Sequence, residues 1–138
     1  MPNFPQYQNA QLVESANYRT TVLAGSAGAA VTAVPGDVVI IEVNAANVSG
    51  TATVTLPPVS LGGPVLVKFS HANANTQFGT AARVKVVPSV TDAAATPAVT
   101  IEGYTSITLQ NLGDQAVFAS DGVTWWTIDK NHNTIDSW

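Results

Sequence analysis

Thr51-Ala52-Thr53-Val54-Thr55-Leu56-Pro57-Pro58 alternates polar and apolar residues at every step until a proline pair stops it. Successive strand residues point to opposite faces, so Ala52, Val54 and Leu56 share one face and Thr51, Thr53 and Thr55 the other. This is the pattern of a half-buried β-strand. Upstream, Val38-Val39-Ile40-Ile41 is apolar on both faces, which predicts a strand that is central or covered on both sides.

Similar short runs recur about every ten residues and are separated by Gly, Pro, Asn and Asp, the spacing expected of a sandwich or barrel. The predicted strands are Tyr18–Leu23, Ala29–Ala33, Asp37–Val43, Ala52–Leu56, Pro64–Phe69, Arg83–Val87, Ala98–Ile101, Ser106–Leu109, Ala116–Ser120 and Val123–Asp129. Gly25-Ser26-Ala27-Gly28 lacks the Lys of a phosphate-binding loop and reads as a hairpin connection. Asp121-Gly122 is a strong hairpin signal, because both residues adopt the positive φ of a type I′ turn readily. No window has a helical moment with a charged opposite face, and Asp92-Ala93-Ala94-Ala95 is stopped by Thr96-Pro97, so helix is expected to be nearly absent. The stretch 71–80 reads as a long loop. The fold class expected is all-β: a single β-sandwich or jelly-roll-like domain over residues 19–129, preceded by an extended N-terminal arm at 1–18 and followed by a polar tail at 130–138.

Composition narrows the function. Of 138 residues, 5 are Lys or Arg and 9 are Asp or Glu, giving a net charge of −4, while Ala (20) and Val (19) dominate the apolar set. So few scattered cations cannot form the basic footprint that phosphate binding needs, which argues against nucleic acid and anionic membrane as partners. The uncharged stretch from Val43 to Val67 is broken by Pro57, Pro58, Gly62, Gly63 and Pro64, so it is no membrane-spanning helix. The chain has no cysteine, which excludes disulfides, thiolate metal sites and a Cys nucleophile. The start, Met1-Pro2-Asn3-Phe4-Pro5, lacks the basic and apolar regions of a signal peptide.

Catalytic patterns are weak. There is no Gly-x-Ser-x-Gly elbow, and the two histidines, His71 and His132, have no acidic partners at a recurring ligand spacing, so neither a metal nor another cofactor is expected. Glu42 and Glu102 are the only strand-associated carboxylates for a hydrolytic pair; Glu42 fits a solvent-facing strand end and Glu102 a turn. The chain is expected not to be an enzyme. Aromatic residues carry the binding candidates instead. In Val123-Thr124-Trp125-Trp126-Thr127-Ile128 the side chains alternate, so one Trp faces the core, beside Val123 or Ile128, and its neighbour faces out. Which of the two is buried depends on a one-residue register. An outward Trp126, with Tyr104, serves either a subunit interface or a glycan platform. Phe4 and Tyr7 in the arm and Trp138 in the tail lack local apolar partners and suit docking onto another surface.

Thr53-Val54-Thr55-Leu56-Pro57-Pro58, then Gly62-Gly63, then Val65-Leu66-Val67-Lys68, resembles a recurring β-domain of tailed-bacteriophage structural proteins. The resemblance continues through Ile101-Glu102-Gly103, the strand Thr105–Leu109, the apolar Ala116–Phe118 and Ser120-Asp121-Gly122-Val123-Thr124-Trp125, so it covers roughly Thr51 to Ile128. It implies a virion structural protein, made in the host cytoplasm, that works as a homotrimer. A fibre usually carries this domain at the end of a long shaft, whereas this chain is one module with an arm, as in capsid decoration or cement proteins. The implied partners are then the major capsid protein and other copies of the chain, on the outer capsid surface, with the arm adding to a neighbour's sheet edge and seating Phe4 and Tyr7. The alternative implied is a tail-fibre or receptor-binding module contacting host glycan. A free carbohydrate-binding protein and a small hydrolase are the remaining readings.

Overall fold

The computed structural model describes residues 17–24, 26–43, 48–71 and 81–131. Among the described residues nine strands form in chain order: β1 (Asn17–Leu23), β2 (Ala29–Thr32), β3 (Asp37–Val43), β4 (Thr51–Thr55), β5 (Val65–His71), β6 (Arg83–Val87), β7 (Ile107–Leu109), β8 (Gln115–Ser120) and β9 (Trp125–Asn131). They make two mixed sheets, one ordered β1-β3-β5-β8-β9 and the other β2-β4-β6-β7. The only helical pieces among the described residues are a 3-10 turn, Val59–Leu61, and a single α-turn, α1, at Val90–Ala93. Ser89 caps α1 by accepting from the Asp92 amide at 3.2 Å.

The chain changes sheet after each of its first five strands. Odd-numbered strands from β1 to β5 pair in parallel in one sheet, and β2, β4 and β6 pair in parallel in the other. Three coils are thus wound one on the next, and antiparallel additions finish them: β7 on β6, β8 on β5, and β9 on β8. The sandwich expected from the sequence is present. A jelly roll, built from antiparallel neighbours, is not the winding used.

Register lines up the inward residues into columns. In the larger sheet Val39 sits beside Val67 and Val67 beside Ala116, while Ile41 sits beside Phe69. In the smaller sheet Ala52, Val84 and Leu109 form one column, and Val54, Val86 and Ile107 another. All are fully buried in one cluster that both sheets share. The threonine alternation of β4 comes out as read, with Ala52 and Val54 inside and Thr51 exposed. In β3, Val39 and Ile41 are buried and Val38 and Ile40 half-buried, so the strand lies inside its sheet, one face in the core and the other partly covered.

Two local readings are corrected. Residues 26–28 do not join a hairpin, since β1 and β2 lie in different sheets and each pairs in parallel elsewhere. Glycine and serine permit a turn there, but turn chemistry is local and does not choose the sheet. The β8–β9 hairpin is present, yet its turn is not type I′. Gly122 has φ +94°, whereas Asp121 is not in the positive-φ region that a type I′ turn requires of both central residues. Of the expected strand Ala98–Ile101, only Ile101 makes a β-bridge. Strand β1 begins at Asn17 and β9 runs to Asn131, so the strands reach slightly into the segments read as arm and tail. Most of the loop read at 71–80 lies outside the described residues, although His71 closes β5.

Close winding demands small residues where the coils touch. A Cβ on Gly50 would stand 1.9 Å from the Ala27 carbonyl oxygen, and backbone cannot move aside as a side chain can. Gly50→Ala is therefore expected to lower stability by about 1–3 kcal/mol, the range for overpacking. Urea unfolding checks this, with Ser60→Ala on the exposed 3-10 turn as the neutral reference.

Candidate functional site

The hairpin between β8 and β9 builds the most developed surface feature. Trp125 is fully buried and Trp126 is 47 % exposed, which settles the register that the sequence left open. Neither Val123 nor Ile128 accompanies Trp125 into the core, because they are 73 % and 67 % exposed. Val123 lies in the loop before β9, and Ile128 shares the outward parity of Trp126. A Cβ on Gly63 would meet the Trp125 ring at 3.3 Å, so Gly63 packs on it, and Phe118 fills the core opposite Val65. The ladder shifts register between Val117 and Phe118, a bulge that leaves Ile128 without an opposing residue.

Asp121 organises this turn. Its carboxylate accepts from the Val123 amide at 2.9 Å, the Thr124 amide at 2.8 Å and the Trp126 indole Nε1 at 3.0 Å. Ser120 Oγ accepts from the Gly122 amide at 2.8 Å and donates to the Val59 carbonyl at 2.5 Å, tying the hairpin to the 3-10 turn. The Asp121 carboxyl is held below its ordinary value, first by the Thr124 amide, then by the Trp126 indole and the Val123 amide. An exposed indole thereby donates to a charged acceptor.

Tyr104 stands beside the same strand. Residues 100–104 form a strap along the outer side of β9: the Trp125 amide donates to the Thr100 carbonyl at 3.0 Å and the Glu102 amide to the Trp125 carbonyl at 2.9 Å. Glu102 Oε1 accepts from the Thr127 amide at 3.0 Å and also from Thr127 Oγ1. Glu102 does this from a left-handed backbone conformation, φ +54°, and the strap turns back where the Ile101 amide meets the Tyr104 carbonyl at 2.8 Å. Tyr104 remains 44 % exposed. The structure thus brings Tyr104 and Trp126 to one margin of the larger sheet, together with Val123 and Ile128, which were not singled out as surface residues. Phe4, Tyr7 and Trp138 lie outside the described residues.

The arrangement offers apolar area and little acid–base chemistry. Glu42 is on β3 and Glu102 beyond β9, with β5, β8 and β9 between them, so the two do not face each other as a hydrolytic pair. Among the described residues no group of three His, Asp or Glu side chains forms a metal-ligand set, and no helix is long and apolar enough to cross a membrane. Compared with known proteins, the chain matches no family model and no curated protein.

Because the folded-state value of Asp121 is depressed, its stabilising contribution is present above the ordinary value of 3.8 and is lost as pH falls through the lower folded value. Acid titration followed by tryptophan fluorescence is expected to show a transition with its midpoint below 3.8, from release of the Trp126 indole. The transition should be absent in Asp121→Ala; its persistence there would assign it to another carboxylate.

Proposed function

We propose that this chain is a structural component of a tailed-bacteriophage virion that coats the outer capsid surface as a homotrimeric decoration protein, bound to the major capsid protein. One observation carries the reading on the physical side: an ordered apolar margin of Trp126, Val123, Ile128 and Tyr104 on a chain with only 14 formally charged residues. Exposed aromatic and aliphatic groups gathered in one place suit burial against another protein. The ordered succession of motifs from Thr51 to Ile128 supplies the phage context. Several weak contacts from one trimer add by avidity, so each need not be strong.

The arm gives the clearest test. Strand β1 begins at Asn17, so removing residues 1–16 leaves all nine strands intact. The truncated protein is expected to fold and self-associate yet no longer bind purified heads, whereas fluorescently labelled full-length protein covers them. Labelling confined to the tail tip, or undiminished head binding by the truncated form, would sink the clamp.

A second reading, a tail-fibre or receptor-binding module, is favoured by one detail: the Trp126 indole donates to Asp121 and remains exposed, as a stacking platform for a sugar ring requires. On this reading Trp126→Ala abolishes binding to a glycan array while the oligomer stays intact. A dissociated oligomer would place Trp126 in the subunit interface instead.

A further inference from the structure

The two ends of the winding are finished differently. At the end after β9, the strap at 100–102 occupies the outer backbone groups of Trp125, and the Glu102 carboxylate takes the Thr127 amide. At the other end, β1 pairs only with β3 and β2 only with β4. Two neighbouring edges, of 7 and 4 residues, therefore stay open side by side among the described residues. Exposed edges in natural sheets are normally guarded by charge, proline or a bulge. Strand β2, Ala29-Ala30-Val31-Thr32, has none of these. The one charge on β1, Arg19, is already neutralised by the buried Asp37, whose Oδ2 accepts its Nε at 2.5 Å and the Val34 amide at 2.8 Å. Beside these edges Tyr18 is 60 % and Val22 45 % exposed, and the core side chains Ala29 and Val31 of this first coil are only partly covered.

We propose that this open first coil is a self-association surface, on which a second copy of the chain seats its own first coil about a two-fold axis normal to both sheets. The argument is one of spacing. The two edges belong to packed sheets roughly 10 Å apart, and filling both at once takes a partner with two free edges at that same separation. A single extended segment can satisfy only one of them. A copy rotated about that axis presents β1 to β1 and β2 to β2, antiparallel, with each sheet continuing into its mate. The rotation keeps each face of a sheet on its own side, and with the axis at the middle of β1, where the overlap of the two 7-residue edges is greatest, the central residue meets itself. Thr20 is the middle residue of β1 and is exposed. No like charges are forced together, because Arg19 is paired within its own chain. This contact goes beyond the capsid reading and is distinct from the three-fold association; where both operate, trimers are joined in pairs.

The chain has no cysteine, which permits a direct test. Full-length Thr20→Cys, oxidised at micromolar concentration, is expected to become a disulfide-linked dimer, since directly opposed antiparallel residues lie within disulfide reach. Ser60→Cys, on the exposed 3-10 turn, is the reference and stays unlinked. Light-scattering mass should give an even number of chains, halved in the double variant Thr20→Lys/Ala30→Lys, whose side chains are both exposed. Cross-linking of Thr20→Cys no greater than that of Ser60→Cys would overturn the proposal, as would a monomeric or trimeric mass at high concentration. An even mass in a protein that ignores phage heads would sink the capsid reading and leave this contact standing.

Discussion

Column stacking of inward side chains is the constraint on which the rest of the molecule depends. The chain crosses from one sheet to the other after each early strand, so every inward residue must land beside a residue of the same parity in the next coil. A slip of one residue in β3 would turn Val39 and Ile41 outward together. Burying one such side chain is worth about 1.5–3 kcal/mol, against a net of about 0.5–1.5 kcal/mol for a typical backbone hydrogen bond. The core therefore sets the register and the ladders follow it. Edges left unpaired at β1 and β2 cost little by comparison while water solvates them, which is how a stable domain can keep them open.

The same physics explains what could be read from the chain. Alternation in Thr51–Leu56 and the apolar run of β3 are local signals, and both strands formed where they were expected. Sheet membership is not local. A strand looks alike in sequence whether its neighbours run parallel or antiparallel, so nothing in residues 26–28 announced a crossing rather than a hairpin. Trp125 and Trp126 differ only by register, and the register is fixed by β8 across the ladder. Tyr104 was legible as a candidate contact and one of the two tryptophans as outward-facing, though not which one. Their meeting at one margin was not, because it depends on a strap whose own β-signal, Ala98–Ile101, shrinks to a bridge held by neighbouring strands.

Carboxylates in this low-charge chain are used chiefly to shape loops. Asp114 is buried and accepts from the amides of Gln110 and Asn111 at 3.2 and 3.0 Å, closing the turn before β8. Asp92 Oδ2 accepts from the Val59 amide at 2.8 Å and its carbonyl from the Val99 amide at 3.0 Å, joining α1 to the 3-10 turn. Asp37, Glu102 and Asp121 act in the same way at β1, β9 and the hairpin. Each lone carboxylate replaces several backbone partners that an irregular loop cannot supply.

That deployment bears on where association happens. A wound β-structure grows until something stops it, and terminal coils need a finishing device. Here the later end is closed in part within the chain, since the strap takes up Trp125 and Thr127 of β9 while the three-residue β7 remains an edge paired only with β6. Beside the strap it exposes side chains: Trp126, Ile128, Val123 and Tyr104. Among the described residues the earlier end has no such closure and exposes backbone. The two surfaces differ in chemistry, apolar contact at one and directional hydrogen bonding at the other, and they sit on opposite margins of the larger sheet with β3, β5 and β8 between them. A partner at one margin does not obstruct the other. A small module with two independent, unlike surfaces can hold one partner by apolar contact and another by strand pairing, which a chain with all its apolar area in a single patch could not do.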